Sequence, residues 1–202
     1  MEQLSPQKIA IFEGIFCLTR QGRDLQTVKV QEIADAAGMG KSSLYEHFKS
    51  KEEILAGAAE YCLSRELNQI REMLAGSADF GGMLDGPLEY LSEVLPQRVE
   101  PYHAIGQARS GADHGECGRL FLEAQSEIGA IAREGVACGR REGVIAAALS
   151  DEECIYIIVT TLLGFAMTCF AQAKLPGIGV ERFAQMARIT RAHLLRSLAE
   201  QR

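Results

Sequence analysis

The chain has 202 residues, 47% of them hydrophobic and 24% charged, with a formal net charge of −6. Such a composition is far from that of a disordered chain, and the acidic balance excludes a uniformly basic nucleic-acid coat. Six cysteines (Cys17, Cys62, Cys117, Cys138, Cys154 and Cys169) are scattered without a C-x-x-C pair, as expected of reduced cytosolic thiols packed as small apolar groups.

In chain order, the first segment, "LSPQKIAIFEGIFCLTRQG", lacks a clean apolar leader core with a small-residue cleavage site, so a cytoplasmic location is expected. It reads instead as a helix from Ser5 to Gln21. Ser5 suits the N-cap, Pro6 the first turn and Gly22 the position after the end. Ile9, Phe12, Ile15, Phe16 and Thr19 fall on one face. A second helix is expected over Val30–Ala37, with Val30, Ile33, Ala34 and Ala37 inward and Gly38 ending it. A third covers Lys41–Phe48. A fourth opens at Ser50 with a Ser50/Glu53 capping box and runs to Leu74. "AGSADFGG", residues 75–82, is the clearest break, and further helices follow near 86–96, 98–110, 116–141, 150–174 and 179–199. No strand-like alternation of useful length and no tight hairpin signal occurs. The expected fold class is therefore all-α, with about nine helices.

Helices two and three with the Gly38 turn form a helix-turn-helix. Ala34 permits close approach and glycine accepts a left-handed turn. Leu44 and Phe48 are four apart and anchor one face of helix three. The opposite face presents Lys41, Ser42, Ser43 and Tyr45, donors suited to base edges or phosphates in a major groove. The start of helix four offers backbone N–H groups beside Lys51, a site suited to phosphate. An acidic residue, Glu46, also lies on helix three. It either faces away from DNA, pairs with Lys49 or Lys8, or accepts from a cytosine amino group.

"VQEIADAAGMGKSSLYEHFKSKEEIL" resembles the DNA-binding signature of the TetR family of transcriptional regulators. Ile33-Ala34, Ala37-Gly38, Leu44-Tyr45, His47-Phe48 and Lys51 stand at that family's spacing, within about residues 8–57. The resemblance implies a three-helix DNA-binding domain, 1–50, followed by a helical ligand-binding and dimerisation domain, 51–202. It places Gln31, Lys41, Ser42 and Ser43 near bases or neighbouring phosphates, and Tyr45, His47 and Lys51 at phosphates. Two departures stand out: Lys29 occupies the position before helix two where Ser or Thr is usual, and Gly40 replaces the usual serine cap of helix three. Lys29, Lys41, Lys49 and Lys51 are expected to form a local basic edge. The implied partners are double-stranded operator DNA, a second copy of the chain and a small-molecule effector.

Residues 154–173, "CIYIIVTTLLGFAMTCFAQA", carry no charge and are long enough for a bilayer span. The resemblance gives another reading: a helix with one face toward a ligand cavity and the other across a two-fold axis, so that no membrane is needed. On the last helix, Phe183, Met186, Ala187, Thr190, Leu194 and Leu198 form one stripe. Phe183, Ala187, Thr190, Leu194 and Leu198 are the expected dimer interface. Tyr90, Tyr102, His103, Phe121, Thr160, Thr161, Phe165 and Thr168 are candidate pocket residues, their apolar walls and few hydroxyls suiting an apolar or aromatic effector. In "SGADHGECGRL", Asp113, His114, Glu116 and Cys117, with His103, could suggest metal binding, but the spacing lacks the second clear pair of a zinc site. Cys117 near a helix start could instead be a thiol sensor. No metal or cofactor is expected. An all-α enzyme using Cys117, His103 or His114 is the remaining alternative, but no G-x-S-x-G, H-E-x-x-H or P-loop is present.

Overall fold

The computed structural model describes residues 4–108, 114–171 and 179–199, with the side chains of 114–125 outside that description. All regular structure among the described residues is helical. The α-helices are α1 (Pro6–Arg20), α2 (Val30–Ala36), α3 (Lys41–His47), α4 (Lys51–Ala75), α5 (Phe80–Glu89), α6 (Val99–Ala108), α7 (His114–Arg141), α8 (Asp151–Ala171) and α9 (Phe183–Leu198).

The ends follow local chemistry. Ser5 Oγ accepts from the Lys8 N–H at 3.3 Å, with Pro6 opening α1. At α2, Glu32 reaches back to the Lys29 N–H at 2.9 Å. A lysine side chain has no acceptor, so only this half of a capping box is made. Ser50 Oγ accepts from the Glu53 N–H at 3.1 Å, and Glu53 accepts from the Lys49 N–H at 2.6 Å. The break expected at 75–82 is shorter than its glycines suggest. Asp79 caps α5 by accepting from the Gly82 N–H at 2.8 Å, and Glu142 accepts from the Phe80 N–H at 3.0 Å. These bonds, with the burial of Phe80, hold two glycines in a first helical turn. The helix expected near 86–96 is not one regular element. Pro87 lies inside α5, a π-turn follows at Tyr90–Val94, and a 3₁₀ turn at Leu95–Gln97 contains Pro96. A proline has no N–H to donate, so the ladder is interrupted at these positions.

Two compact units are present, one drawn from Met1–Arg65 and Arg98–Leu120, the other from Glu66–Gln97 and Phe121–Arg202. The core of the first gathers Ile11, Phe12, Ile15 and Phe16 of α1, Ile33 and Ala34 of α2, Leu44 of α3, Ile54 and Ala58 of α4, and Ile105 of α6. Gly14 lets α1 cross the end of α2. A Cβ there would stand 3.0 Å from the Ala37 nitrogen. Within the same unit, Arg65 binds Glu13 of α1 at 3.1 Å and the Tyr102 hydroxyl of α6 at 2.9 Å, its guanidinium over the Phe16 ring. Helix α6 is thus part of the packing that positions α1.

In the second unit, Phe80, Leu84, Ala132, Val136, Ile145, Cys154, Ile158, Leu194 and Leu198 form the core. The α9 stripe is consequently turned inward. Phe183, Leu194 and Leu198 are fully buried and Ala187 nearly so within the one chain. Four of the residues expected at a dimer interface are thus buried within the one chain, Leu194 and Leu198 in a core shared with α5, α7 and α8. Thr190, half-buried, lies at the margin of that stripe.

Candidate nucleic-acid interface

The turn between α2 and α3 is closed by backbone bonds from Gly38 to Asp35, 3.1 Å, and from Met39 to Ala34, 3.0 Å. Gly38 has φ +69°, a left-handed conformation that disfavours a Cβ. On α3 only Leu44 is buried, and Phe48 packs below its end. Lys41, Ser42, Ser43, Tyr45 and Glu46 are all exposed, and His47 is half-buried.

The remaining polar groups are partly held. Lys41 Nζ lies 5.8 Å from the centroid of the Tyr45 ring, which places both on one flank of α3. Gln31 donates to Asp35 at 2.7 Å, which orients its amide along α2. Lys51 donates to the Gln26 carbonyl at 2.8 Å and fastens the start of α4 to the loop after α1. An ammonium has three donors, so two remain for a phosphate. Lys29 is exposed at the start of α2. The backbone N–H of Lys29 bonded to Glu32, joined by the Arg23 guanidinium, holds the Glu32 carboxyl below its usual range. The predicted DNA-contacting residues thus lie on α2, α3 and the start of α4, joined by the short Gly38 and Ser50 turns.

The candidate pocket residues are not brought together in the same way. Tyr102 is built into the first unit through Arg65 and the edge of Phe16, with ring centroids 6.3 Å apart. His103, half-buried, belongs to that unit too. Tyr90 is buried in the second unit, where its hydroxyl donates to Glu66. Phe165 is buried, and Thr161 and Thr168 are half-buried. The hydroxyls of Thr160 and Thr168 donate to carbonyls of their own helix, Tyr156 at 2.7 Å and Gly164 at 2.9 Å. A surface groove of about 400 Å³ lies beside Leu149, Glu152, Glu153, Tyr156 and Ile157 and includes none of the candidates. Asp113 and the side chains of His114, Glu116, Cys117 and Phe121 lie outside the described residues. Among the described residues no group of three His, Cys, Asp or Glu is placed to hold a metal.

Helix α8, expected to turn one face across a two-fold axis, exposes residues that the sequence did not single out. It is long and apolar enough to cross a membrane, with hydropathy 2.1, yet only 22% of that window is buried inside the chain. Tyr156, Thr160, Leu163 and Met167 are exposed along it, at spacings of four, three and four. Ile189 is exposed on α9. The stripe was hidden because a helix apolar on every side carries no periodic contrast.

The geometry is that of a helix-turn-helix domain followed by a helical C-terminal region. Residues 21–58 match the family model for bacterial regulatory proteins of the tetR family. Over that stretch, which holds α2, α3 and the start of α4, the chain is similar to the DNA-binding region of tetR-type regulators. It is 46% identical over 76 residues to the uncharacterized HTH-type transcriptional regulator YerO of Bacillus subtilis (strain 168), a match spanning 36% of this chain and 24% of that relative's length. Its fold is similar to a TetR transcription regulator from Haloarcula marismortui, with TM-score 0.72, 18% identity and 98% and 100% of the two chains covered. It is also similar to the fatty acid degradation regulator FadR from Bacillus halodurans, with TM-score 0.63, 16% identity and 96% and 97% covered.

Proposed function

We propose that this protein is a cytoplasmic transcriptional repressor that binds a pseudo-palindromic operator as a homodimer and is released by a small apolar or aromatic effector. The observation that carries DNA binding is the face of α3 opposite Leu44. It presents polar side chains to solvent across a turn that requires Gly38. A short helix anchored on one side by the core and polar on the other can enter a major groove, while Lys41, Tyr45, His47 and Lys51 reach backbone phosphates. Selection of bound fragments from the source genome, followed by footprinting, tests this reading. Enrichment of no sequence over random duplex rejects it.

Dimerisation is supported by the exposed row Tyr156, Thr160, Leu163 and Met167 of α8 with Ile189 of α9. An isologous interface would cover one such patch with its own copy. A bilayer fits less well, because α9, packed along α8, exposes Arg188, His193 and Arg196, and charges facing lipid are costly. The effector reading rests on the apolar and aromatic side chains of the C-terminal region with a few hydroxyls among them, a composition suited to an apolar ligand. For release, effector must bind the DNA-incompetent state more tightly, and operator must weaken effector binding by the same factor. Helices α4 and α7 each contribute residues to both units, so they are the continuous elements through which such a bias can pass. A thermal-shift screen for ligands, then competition against the operator complex, tests it.

A further inference from the structure

The named DNA-contact residues do not include Glu46, which with Ser42 stands furthest from the buried Leu44 of α3. Helix geometry advances about 100° per residue, so Glu46, two positions after the buried Leu44, points about 160° away from it. Ser42 and Ser43 precede it by four and three positions and share its face. Lys41 and Tyr45, associated with each other, lie to one side. Glu46 is exposed.

Two internal partners were open to this carboxylate, and the structure provides neither. Lys8 Nζ sits 5.6 Å over the Phe48 ring, and among the described residues no ion pair joins the Lys49 ammonium to Glu46. Among the described residues no ion pair or hydrogen bond engages the Glu46 side chain. An ionised carboxylate only accepts. In a major groove it is repelled by phosphates and by the acceptor atoms of guanine, thymine and the adenine ring. The cytosine N4 amine is a donor with no acceptor beside it on its own edge. Adenine also offers an amine, but with the N7 lone pair adjacent. Resting on the DNA-binding reading, we infer that Glu46 is the specificity-determining residue at the centre of α3 and selects one cytosine in each operator half-site. A C·G pair at that position satisfies the carboxylate, and any other pair leaves it unpaired in a field of like charge.

The test is selection from a randomised duplex library with the full-length parent, Glu46→Gln and Glu46→Ala. The parent is expected to enrich a fixed C·G pair in each half-site and to lose about tenfold in affinity when that pair becomes T·A. Glu46→Gln should change the preference at that position to adenine, whose N6 and N7 match an amide. Glu46→Ala should lose preference there and nowhere else, and both variants should bind random duplex more tightly than the parent. Identical selected motifs for all three proteins overturn the inference while leaving DNA binding intact. A parent that enriches no sequence overturns the DNA-binding reading and this inference with it.

Discussion

Met167 sits on α8 with 56% of its surface exposed in the isolated chain, in the row formed with Tyr156, Thr160 and Leu163. Complete burial of a methionine side chain contributes about 1.5–3 kcal/mol. Roughly half of that surface remains to be covered, so docking a second copy over it gains about 1 kcal/mol per protomer. Two-fold symmetry counts the site twice, so Met167→Ala should weaken the dimer by about 2 kcal/mol, or about 30-fold in dissociation constant. Met167→Glu should weaken it further, because a buried carboxylate would face its symmetry mate's environment without a partner. Neither change touches the enclosed core, so the melting temperature of the monomer should hold. Leu194→Ala is the contrast. Leu194 is fully buried, and its truncation should cost about 2–5 kcal/mol of chain stability through the cavity left behind. Sedimentation velocity over a dilution series, with thermal melts of the same samples, separates the two effects. A parent monomer at micromolar concentration, or a Met167→Glu dimer as tight as the parent, refutes the assignment of this stripe to the interface.

Lys51→Ala should weaken operator binding and reduce the salt slope by about one phosphate contact, read from affinity against salt concentration; Tyr45→Phe should cost less. Gly38→Ala places a Cβ on a φ of +69° and should destabilise the chain by about 1 kcal/mol in urea unfolding. Glu32 has a folded-state pKa below its ordinary 4.5, chiefly from the Lys29 N–H and with help from Arg23. The stability it contributes is full above 4.5 and lost as pH falls through the folded value, so Glu32→Gln should flatten the acid limb of melting temperature against pH. Burial pushes the Cys169 thiol up to about 12, and Cys138 and Cys154 are also pushed up by burial. In the folded protein at neutral pH, alkylation followed by mass spectrometry should find Cys17, half-buried, modified well before these three; labelling of Cys169 at the rate of Cys17 would contradict the packing.

The sequence by itself determined the all-α class, the helix-turn-helix and most helix starts, because their causes are local. A serine cap, a proline in the first turn, a glycine at positive φ and a four-residue repeat of apolar side chains each act within a few residues. It also marked α9 as a helix with one buried stripe, but periodicity reports that a stripe is buried and not what buries it. Only the tertiary structure decided that Phe183, Leu194 and Leu198 close the chain's own core, and that the unfilled surface lies on α8, where apolar residues on every side erase the period. The same limit applies to Tyr102, drawn from a late segment into the packing of α1 by Arg65, and to the threonine hydroxyls turned back to their own helix. It applies equally to Glu46. Its place opposite Leu44 was legible from spacing, but its lack of partners among Lys8, Lys49 and the other described residues depends on how separate segments pack, and that is set by long-range contacts rather than by neighbours in the chain.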